Sequence, residues 1–171
     1  DFCLSRGLGD VYKRQTTMPS TDSLLKQLKE SYPQLSFTEA DDFQWLPTTH
    51  TIAYPASDDS FDARLLHEVS HALLEHHDYT RDVDLIAMER DAWQYARSTL
   101  APRFEVTITA DNIQDDMDTY REWLHARSTC PKCGANGLQT KQWHYRCLSC
   151  ANIWKVNEAR SCALRRYNIQ K

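Results

Sequence analysis

Apolar residues recur at helical spacing in four stretches of the chain, with polar and charged residues between them. The first stretch contains Leu24 and Leu28, follows a run of cap-forming residues and ends before Pro33. Residues three and four apart share one face of a helix, so each stretch predicts an amphipathic helix. The other three predicted helices begin near residues 60, 80 and 111, and Pro102 is expected to end the second of these.

Three short segments before the second predicted helix have the character of β-strands. They cover residues 35–38, 43–46 and 51–54, and the last of them, Thr51-Ile52-Ala53-Tyr54, is β-branched and aromatic and is closed by Pro55. Residues 104–109 also alternate, which predicts an extended segment or strand. A few strands followed by helices predict the α+β class.

Charge divides the chain into two parts. Residues 18–126 contain 8 Lys and Arg against 21 Asp and Glu, a net charge of −13. Residues 127–171 contain 9 Lys and Arg against 1 Glu, a net charge of +8. This asymmetry predicts a first module (residues 18–126) and a second module (residues 127–171). The basic second module is expected either to meet an anion or to dock on the acidic first module.

The beginning of the chain is set aside from the functional interpretation. Residues 4–15 resemble a translated sequencing adapter, so we expect residues 1–17 to be a non-native leader and the natural protein to begin near Met18.

No apolar run approaches the roughly 20 residues that span a bilayer, and a secretory apolar region is also missing. These features predict a cytoplasmic protein with no membrane partner.

The strongest candidate for chemistry in the first module is a His-Glu-x-x-His motif within the second predicted helix. His67 and His71 are four residues apart, so both imidazoles can face one metal ion. Glu68 follows the first histidine and can act on a water at that ion, the arrangement of a zinc hydrolase. His76 and His77, near the expected helix end, are interpreted instead as ordinary hydrogen-bonded or solvated histidines, because a cation there complements the helix dipole.

A catalytic zinc ion needs a third protein ligand and one open position. Glu89 stands 18 residues after His71, on the apolar side of the next predicted helix. Two helices joined by a short turn can bring its carboxylate opposite the two imidazoles. Asp91 and Asp84 remain alternatives.

Residues 67–74, 89–96 and 100–102 resemble segments of the ImmA/IrrE family of zinc metallopeptidases. That family has an HExxH motif, a downstream E-x-x-A-N-x-F-A segment and often a Leu-x-Pro at the end of its helix. The resemblance extends over residues 35–102 and implies a zincin-like core, with Glu89 as third ligand and Glu68 as catalytic base. The sequence departs from the pattern at Trp93, where the family has Asn, and at Tyr95, where it has Phe.

The second module contains two C-x-x-C pairs separated by 13 residues. The pairs are Cys130 with Cys133 and Cys147 with Cys150. Four thiolates in this arrangement suit a structural zinc ion, and alternation at residues 142–146 and 153–156 predicts the strands of a zinc ribbon. Two disulfides are the alternative, which a cytosolic chain rarely keeps. Cys162 lies outside both pairs and is expected to be a plain thiol.

Basic and aromatic residues alternate through the second module. This mixture suits single-stranded nucleic acid, because bases stack on aromatic rings while cations follow the phosphates. In so small a module the aromatic residues could instead form its core. The residues in question are Lys132, Lys141, Arg146, Lys155, Arg165 and Arg166, with Trp143, Tyr145 and Trp154.

Together these features predict a zinc-dependent metallo-endopeptidase with one catalytic and one structural zinc ion, acting on an intracellular protein, with a regulatory protein as one candidate substrate. Ile52 and Tyr54 are expected to contact an extended substrate by strand-edge pairing, and Tyr54 or His50 to stabilise the oxyanion. The alternative is a nucleic-acid-associated regulatory protein. The order of motif and ribbon also resembles the SprT-like proteases, which act on DNA-bound proteins, although their third ligand is a histidine. Oligomeric state is left open.

Overall fold

The computed structural model of this protein describes residues 21–160 and 162–169. The expected leader, residues 1–17, lies outside this range. Thirteen elements follow one another along the chain. They are α1 (Thr21–Ser31), β1 (Ser36–Glu39), β2 (Gln44–Leu46), β3 (Thr51–Tyr54), α2 (Phe61–Leu73), α3 (Asp82–Tyr95), a π-helical turn (Ala96–Leu100), α4 (Ala101–Phe104), α5 (Ala110–Ser128), β4 (Gly137–Lys141), β5 (His144–Cys147), β6 (Ile153–Val156) and β7 (Arg166–Asn168). The α+β class is confirmed.

The strands of the first module form a three-stranded sheet in the order β1-β3-β2. β3 pairs in parallel with β1 and antiparallel with β2, so it lies in the centre of the sheet. Its residue Ile52 is fully buried. β2 is an edge strand, and it packs beside α2.

The apolar side of α2 is the centre of the larger core. Leu65, Leu66 and Val69 have no solvent exposure, and α2 packs against α1, α3, the π-helical turn and the sheet. Burying a side chain of this size contributes about 1.5–3 kcal/mol. The helix that carries the His-Glu-x-x-His motif is therefore held on several sides by apolar packing.

Two expectations for the region after α3 are wrong. Pro102 does not end the helical run, because the π-helical turn leads into α4 and Pro102 lies in the first turn of α4. The adjoining π-helical turn changes the register of the helical hydrogen bonds next to this proline, which has no backbone N–H to donate. Residues 106–109 join neither sheet; α4 ends at Glu105, which has a left-handed backbone, and Thr109 caps α5.

The second module forms a four-stranded antiparallel sheet in the order β4-β5-β6-β7. β5 and β6 correspond to the predicted alternating segments, whereas β4 and β7 have no comparable signal. Tyr145 and Trp154 stack at 5.6 Å in a small second core. Gly137 allows this packing, since a Cβ there would lie 2.3 Å from the Trp154 ring.

A buried ion pair joins the two parts of the chain. Asp82, at the start of α3, accepts hydrogen bonds from the Arg127 guanidinium at 2.5 and 3.0 Å, and both side chains are 1% exposed. The Tyr145 hydroxyl also donates to Asp82, and Arg127 donates to the carbonyl of Glu158 at 2.7 Å. The expected boundary at residues 126 and 127 thus falls within α5, beside the strongest contact between the modules. Within the described residues, none of the helices combines the length and apolar character of a membrane span.

We expect Asp82→Asn to lower the free energy of unfolding by about 3–5 kcal/mol, because it leaves the buried Arg127 charge without its counter-ion. Urea denaturation followed by circular dichroism measures the change. Asp91→Asn is the matched control on the same helix, since Asp91 pairs with Arg90 at the exposed surface, where such pairs contribute little. Equal stability of the two variants would contradict a structural role for the Asp82–Arg127 pair.

Candidate metal centres

Two histidines from α2 and one glutamate from α3 converge in the first module. The Nε2 atoms of His67 and His71 lie 3.1 Å apart. The Glu89 Oε2 atom lies 3.0 Å from the first and 3.3 Å from the second. All three side chains are buried. The alternative ligand Asp91 is exposed, and only Glu89 joins the two histidines in the described cluster.

The donor set fits a metal ion. Ligands held at about 2.1 Å in tetrahedral geometry lie about 3.4 Å from one another, close to the three distances in this cluster. Burial opposes ionisation of Glu89, but hydrogen bonds with His67 and His71 outweigh it and hold the Glu89 pKa below its usual range. The cluster could therefore hold a cation in a buried position with a carboxylate as counter-charge.

The His67 imidazole is oriented by stacking on a tryptophan ring. The His67 ring stacks on Trp93 at 4.3 Å, and Trp93 donates a 2.7 Å hydrogen bond to Asp116. The Nδ1 atom of His67 is buried with no hydrogen-bond partner among the described residues. Trp93, which departs from the family pattern, thus supports the first imidazole by stacking.

His76 also belongs to the surroundings of this cluster. Its Nδ1 atom lies 2.9 Å from Nδ1 of His71, so it occupies the position where metal-ligating histidines usually find a hydrogen-bond partner. Burial lowers the pKa of His76, and the nearby His71 lowers it further. His76 is thus a hydrogen-bonded histidine, as expected, but its partner is a candidate metal ligand.

Glu68 lines a cleft of about 670 Å³ that also reaches His71 and Glu89. Burial raises the pKa of Glu68, while the backbone amide of Trp45 opposes the increase. The cleft is bounded by β2, the loop after α2, α3, α5 and the segment before β7. Its lining residues are Asp42, Phe43, Gln44, Trp45, Leu46, Pro47, Glu68, His71, His76, His77, Asp78, Tyr79, Leu85, Met88, Glu89, Tyr120, Glu158 and Arg160.

The expected substrate contacts from β3 are wrong. Ile52 is fully buried in the central strand, which has no free edge for a peptide. Tyr54 packs edge-on against Phe61 at 5.8 Å and is absent from the cleft lining, as is His50. The edge strand β2 faces the cleft instead. The N–H and C=O groups of one residue point to the same side of a strand. The backbone N–H of Trp45 lowers the pKa of Glu68, so both backbone groups of Trp45 point into the cleft.

Three cleft residues had no signal in the sequence that pointed to this site. Tyr120 fitted the apolar period of α5, Arg160 was one of many basic residues in the second module, and Trp45 belonged to a short predicted strand. Only the Tyr120 position on the inner side of α5 could have suggested proximity to α3, since those helices pack together.

The four cysteines of the two C-x-x-C pairs come together in the second module. Sγ of Cys130 lies 3.7 Å from that of Cys150, and Sγ of Cys133 lies 3.5 Å from that of Cys147. Thiolates bound at about 2.3 Å to a tetrahedral ion lie about 3.8 Å apart, whereas a disulfide bond measures about 2.05 Å. The cluster could therefore hold a metal ion, and these cysteines are free thiols.

Local backbone geometry supports this cluster. The left-handed conformation of Gly134 lets its N–H donate to the Cys130 carbonyl at 3.0 Å, closing the first turn. Backbone N–H groups of Cys150 and Ser149 lower the pKa of Cys147 to about 6, which favours its thiolate. Cys162 is exposed and outside the cluster, as expected.

Protein purified without added metal should contain two metal ions per chain. Glu89→Ala and Cys133→Ser should each lose one, because each removes a ligand from a different cluster. Elemental analysis of the purified variants measures this. Asp91→Ala and Cys162→Ser are the matched controls and should keep both ions. A chain that never binds more than one ion, even after zinc is added back, would contradict the His67–His71–Glu89 site.

Comparison of the chain with protein-family models, with curated proteins and with solved structures found no match.

Proposed function

We propose that this protein is a zinc-dependent metallo-endopeptidase with a zincin-like core, as its resemblance to the ImmA/IrrE family implies. The observation that carries the proposal is the convergence of His67, His71 and Glu89 beside a cleft lined by Glu68. Two imidazoles and one carboxylate form the ligand set of hydrolytic zinc sites, which keep one position open. When bound, zinc supplies Lewis acidity that activates water and polarises a carbonyl group.

Glu68 acts as the general base and then as the general acid. Its carboxylate accepts a proton from the attacking water and returns it to the amine that leaves. The apolar packing of α2 fixes the backbone that carries this side chain next to two ligands.

The substrate lies along β2 in this proposal. An extended peptide can pair with the free edge of a strand through backbone hydrogen bonds, and β2 has its free side at the cleft. Trp45 is the central residue of β2 and offers its backbone carbonyl, since its N–H faces the Glu68 carboxylate. Its indole donates a 2.9 Å hydrogen bond to the His76 carbonyl, which fixes the side chain against the loop after α2.

The second zinc ion is structural in this proposal. Four cysteines in paired turns enclose their ion completely, so no position remains for substrate. Zinc-bound thiolates suit a reducing compartment, and the proposal accordingly places the protein in the cytoplasm with an intracellular substrate.

Glu68→Gln should reduce kcat/KM for peptide hydrolysis at least about 100-fold, because it removes the proton acceptor. Zinc content and the unfolding midpoint should remain those of the unchanged protein. Cleavage of a mixed peptide library, read by mass spectrometry, identifies a substrate on which both proteins are then compared. Glu75→Gln, at an exposed carboxylate just beyond α2, is the control and should keep full activity. Undiminished hydrolysis by Glu68→Gln would rule out the assigned role.

A second candidate function rests on the outward face of the ribbon sheet. Lys155 lies 5.7 Å above the ring of Trp143, and Tyr167 is opposite Lys155 on the neighbouring strand, with 52% of its surface exposed. Arg146 is exposed two residues from His144, which pairs with Lys155. We propose that this face contacts single-stranded nucleic acid through stacking and phosphate contacts. Such contact would relate the protein to the SprT-like architecture.

The combined substitution of Arg146 and Lys155 by Gln should weaken binding to a labelled oligothymidine of about 15 nucleotides. Two lost phosphate contacts should reduce the slope of log K against log salt by about 1.4. Fluorescence anisotropy over a salt series measures both quantities. Lys26 and Lys29 on α1, replaced together by Gln, are the matched control. Absence of binding by the unchanged protein at low salt would end this candidate.

A further inference from the structure

Arg160 belongs to the second module, yet its side chain reaches the metal centre of the first. Its Nη1 atom lies 3.9 Å from Oε1 of Glu89, the carboxylate oxygen that faces away from the two histidines. This distance exceeds that of a hydrogen bond. The side chain remains 38% exposed and lines the cleft. Arg160 therefore lies close to the site of the proposed hydrolysis, and its guanidinium forms no hydrogen bond with Glu89.

Tyr120 on α5 holds this guanidinium in one orientation. The Arg160 Nη2 atom donates a 2.7 Å hydrogen bond to the Tyr120 hydroxyl, and the guanidinium lies 4.1 Å from the centre of the ring. A guanidinium carries five N–H donors. Among the described residues, Tyr120 is the one hydrogen-bond partner of this side chain. Nη1 faces the Glu89 carboxylate at ion-pair distance, and the other donors are pre-oriented to bind a planar anion.

The cleft is lined by acidic residues, and Arg160 brings a positive charge to it. Arg160 is the one lysine or arginine among the described residues that line it. The acidic residues in the lining are Asp42, Glu68, Asp78, Glu89 and Glu158. An anionic group of a substrate would be repelled over most of this surface and attracted beside Arg160. The cleft can thus distinguish where along a peptide a negative charge lies.

The position of Arg160 depends on how the modules are joined. The backbone carbonyl of the nearby Glu158 accepts hydrogen bonds from Arg127 at 2.7 Å and from the Trp123 indole at 2.9 Å. The Glu158 carboxylate accepts the Arg160 backbone N–H at 3.0 Å. The segment that carries Arg160 is therefore anchored to α5, and through Arg127 to the buried carboxylate of Asp82.

We propose that Arg160 is a specificity-determining residue that binds a carboxylate of the peptide substrate beside the metal centre. This inference rests on the proposed peptidase function. The carboxylate comes from an Asp or Glu side chain near the scissile bond or from the C-terminus of the peptide, and the second source would make the protein a carboxypeptidase rather than an endopeptidase. A planar, bidentate partner of this kind is the one that a fixed guanidinium recognises best.

Binding of uncleaved peptides tests the inference without relying on hydrolysis. The protein is the zinc-loaded full chain with Glu68→Gln, and the probes are four fluorescein-labelled alanine-rich hexapeptides. Two are identical except for a free or an amidated C-terminus, and two amidated peptides differ by a central Glu or Gln. We expect at least one carboxylate-bearing peptide to bind about 10-fold or more tightly than its neutral counterpart. The pair that shows the difference identifies the source of the carboxylate.

Arg160→Gln, added to the same protein, should abolish this difference and leave the zinc content at two ions per chain. Arg103→Gln is the matched control, because Arg103 also lies over a tyrosine ring and donates to the hydroxyl of that residue, Tyr32, but it does not line the cleft. It should retain the difference.

The inference is overturned if neither carboxylate improves binding, or if the improvement survives Arg160→Gln. Loss of the catalytic zinc ion in Arg160→Gln would also overturn it, because Arg160 would then serve only to position Glu89. If the proposed peptidase function is wrong, the experimental result is different. In that case the protein with Glu68 intact cleaves no peptide, whereas the binding difference among the four probes remains measurable.

Discussion

The buried pair of Asp82 and Arg127 is the interaction on which the arrangement of this protein depends. Removing two charges from water is costly, and the cost is offset here by mutual attraction and by further hydrogen bonds on both partners. Asp82 also stands at the first turn of α3, where the helix dipole favours a negative charge. Two turns further along the same helix lies Glu89. One carboxylate thus docks the basic module while its helix carries a ligand of the metal centre.

The metal centre concentrates polar groups in a place that packing would otherwise leave apolar. α2 is anchored by aliphatic side chains on one side and carries His67 and His71 on the opposite side, where Trp93 covers one imidazole. Polar groups buried this deeply must be satisfied by partners. The carboxylate of Glu89 supplies part of that satisfaction, and a divalent cation would supply the rest. Binding of a metal ion at this cluster would therefore stabilise this part of the chain.

Local spacing predicted more of this site than of its surroundings. The i, i+4 relation of His67 and His71, the helical facing of Glu89 and the paired cysteine motifs depend on a few neighbouring residues, and the structure brings each set together. The position of β3 inside its sheet depends on strand order, which an isolated strand pattern does not encode. Arg160 lies 71 positions after Glu89, so their proximity follows from module docking, for which the sequence offers only a difference in charge.

The contribution of the second module to the cleft has an evolutionary consequence. The three candidate ligands and Glu68 all lie in the first module, but Glu158 and Arg160 line the same cleft from the other side. A gene fusion or deletion at the charge boundary would keep the ligand set and discard part of the wall that a substrate meets. Selection on substrate preference would therefore act on both modules at once, and they would be inherited as a single unit.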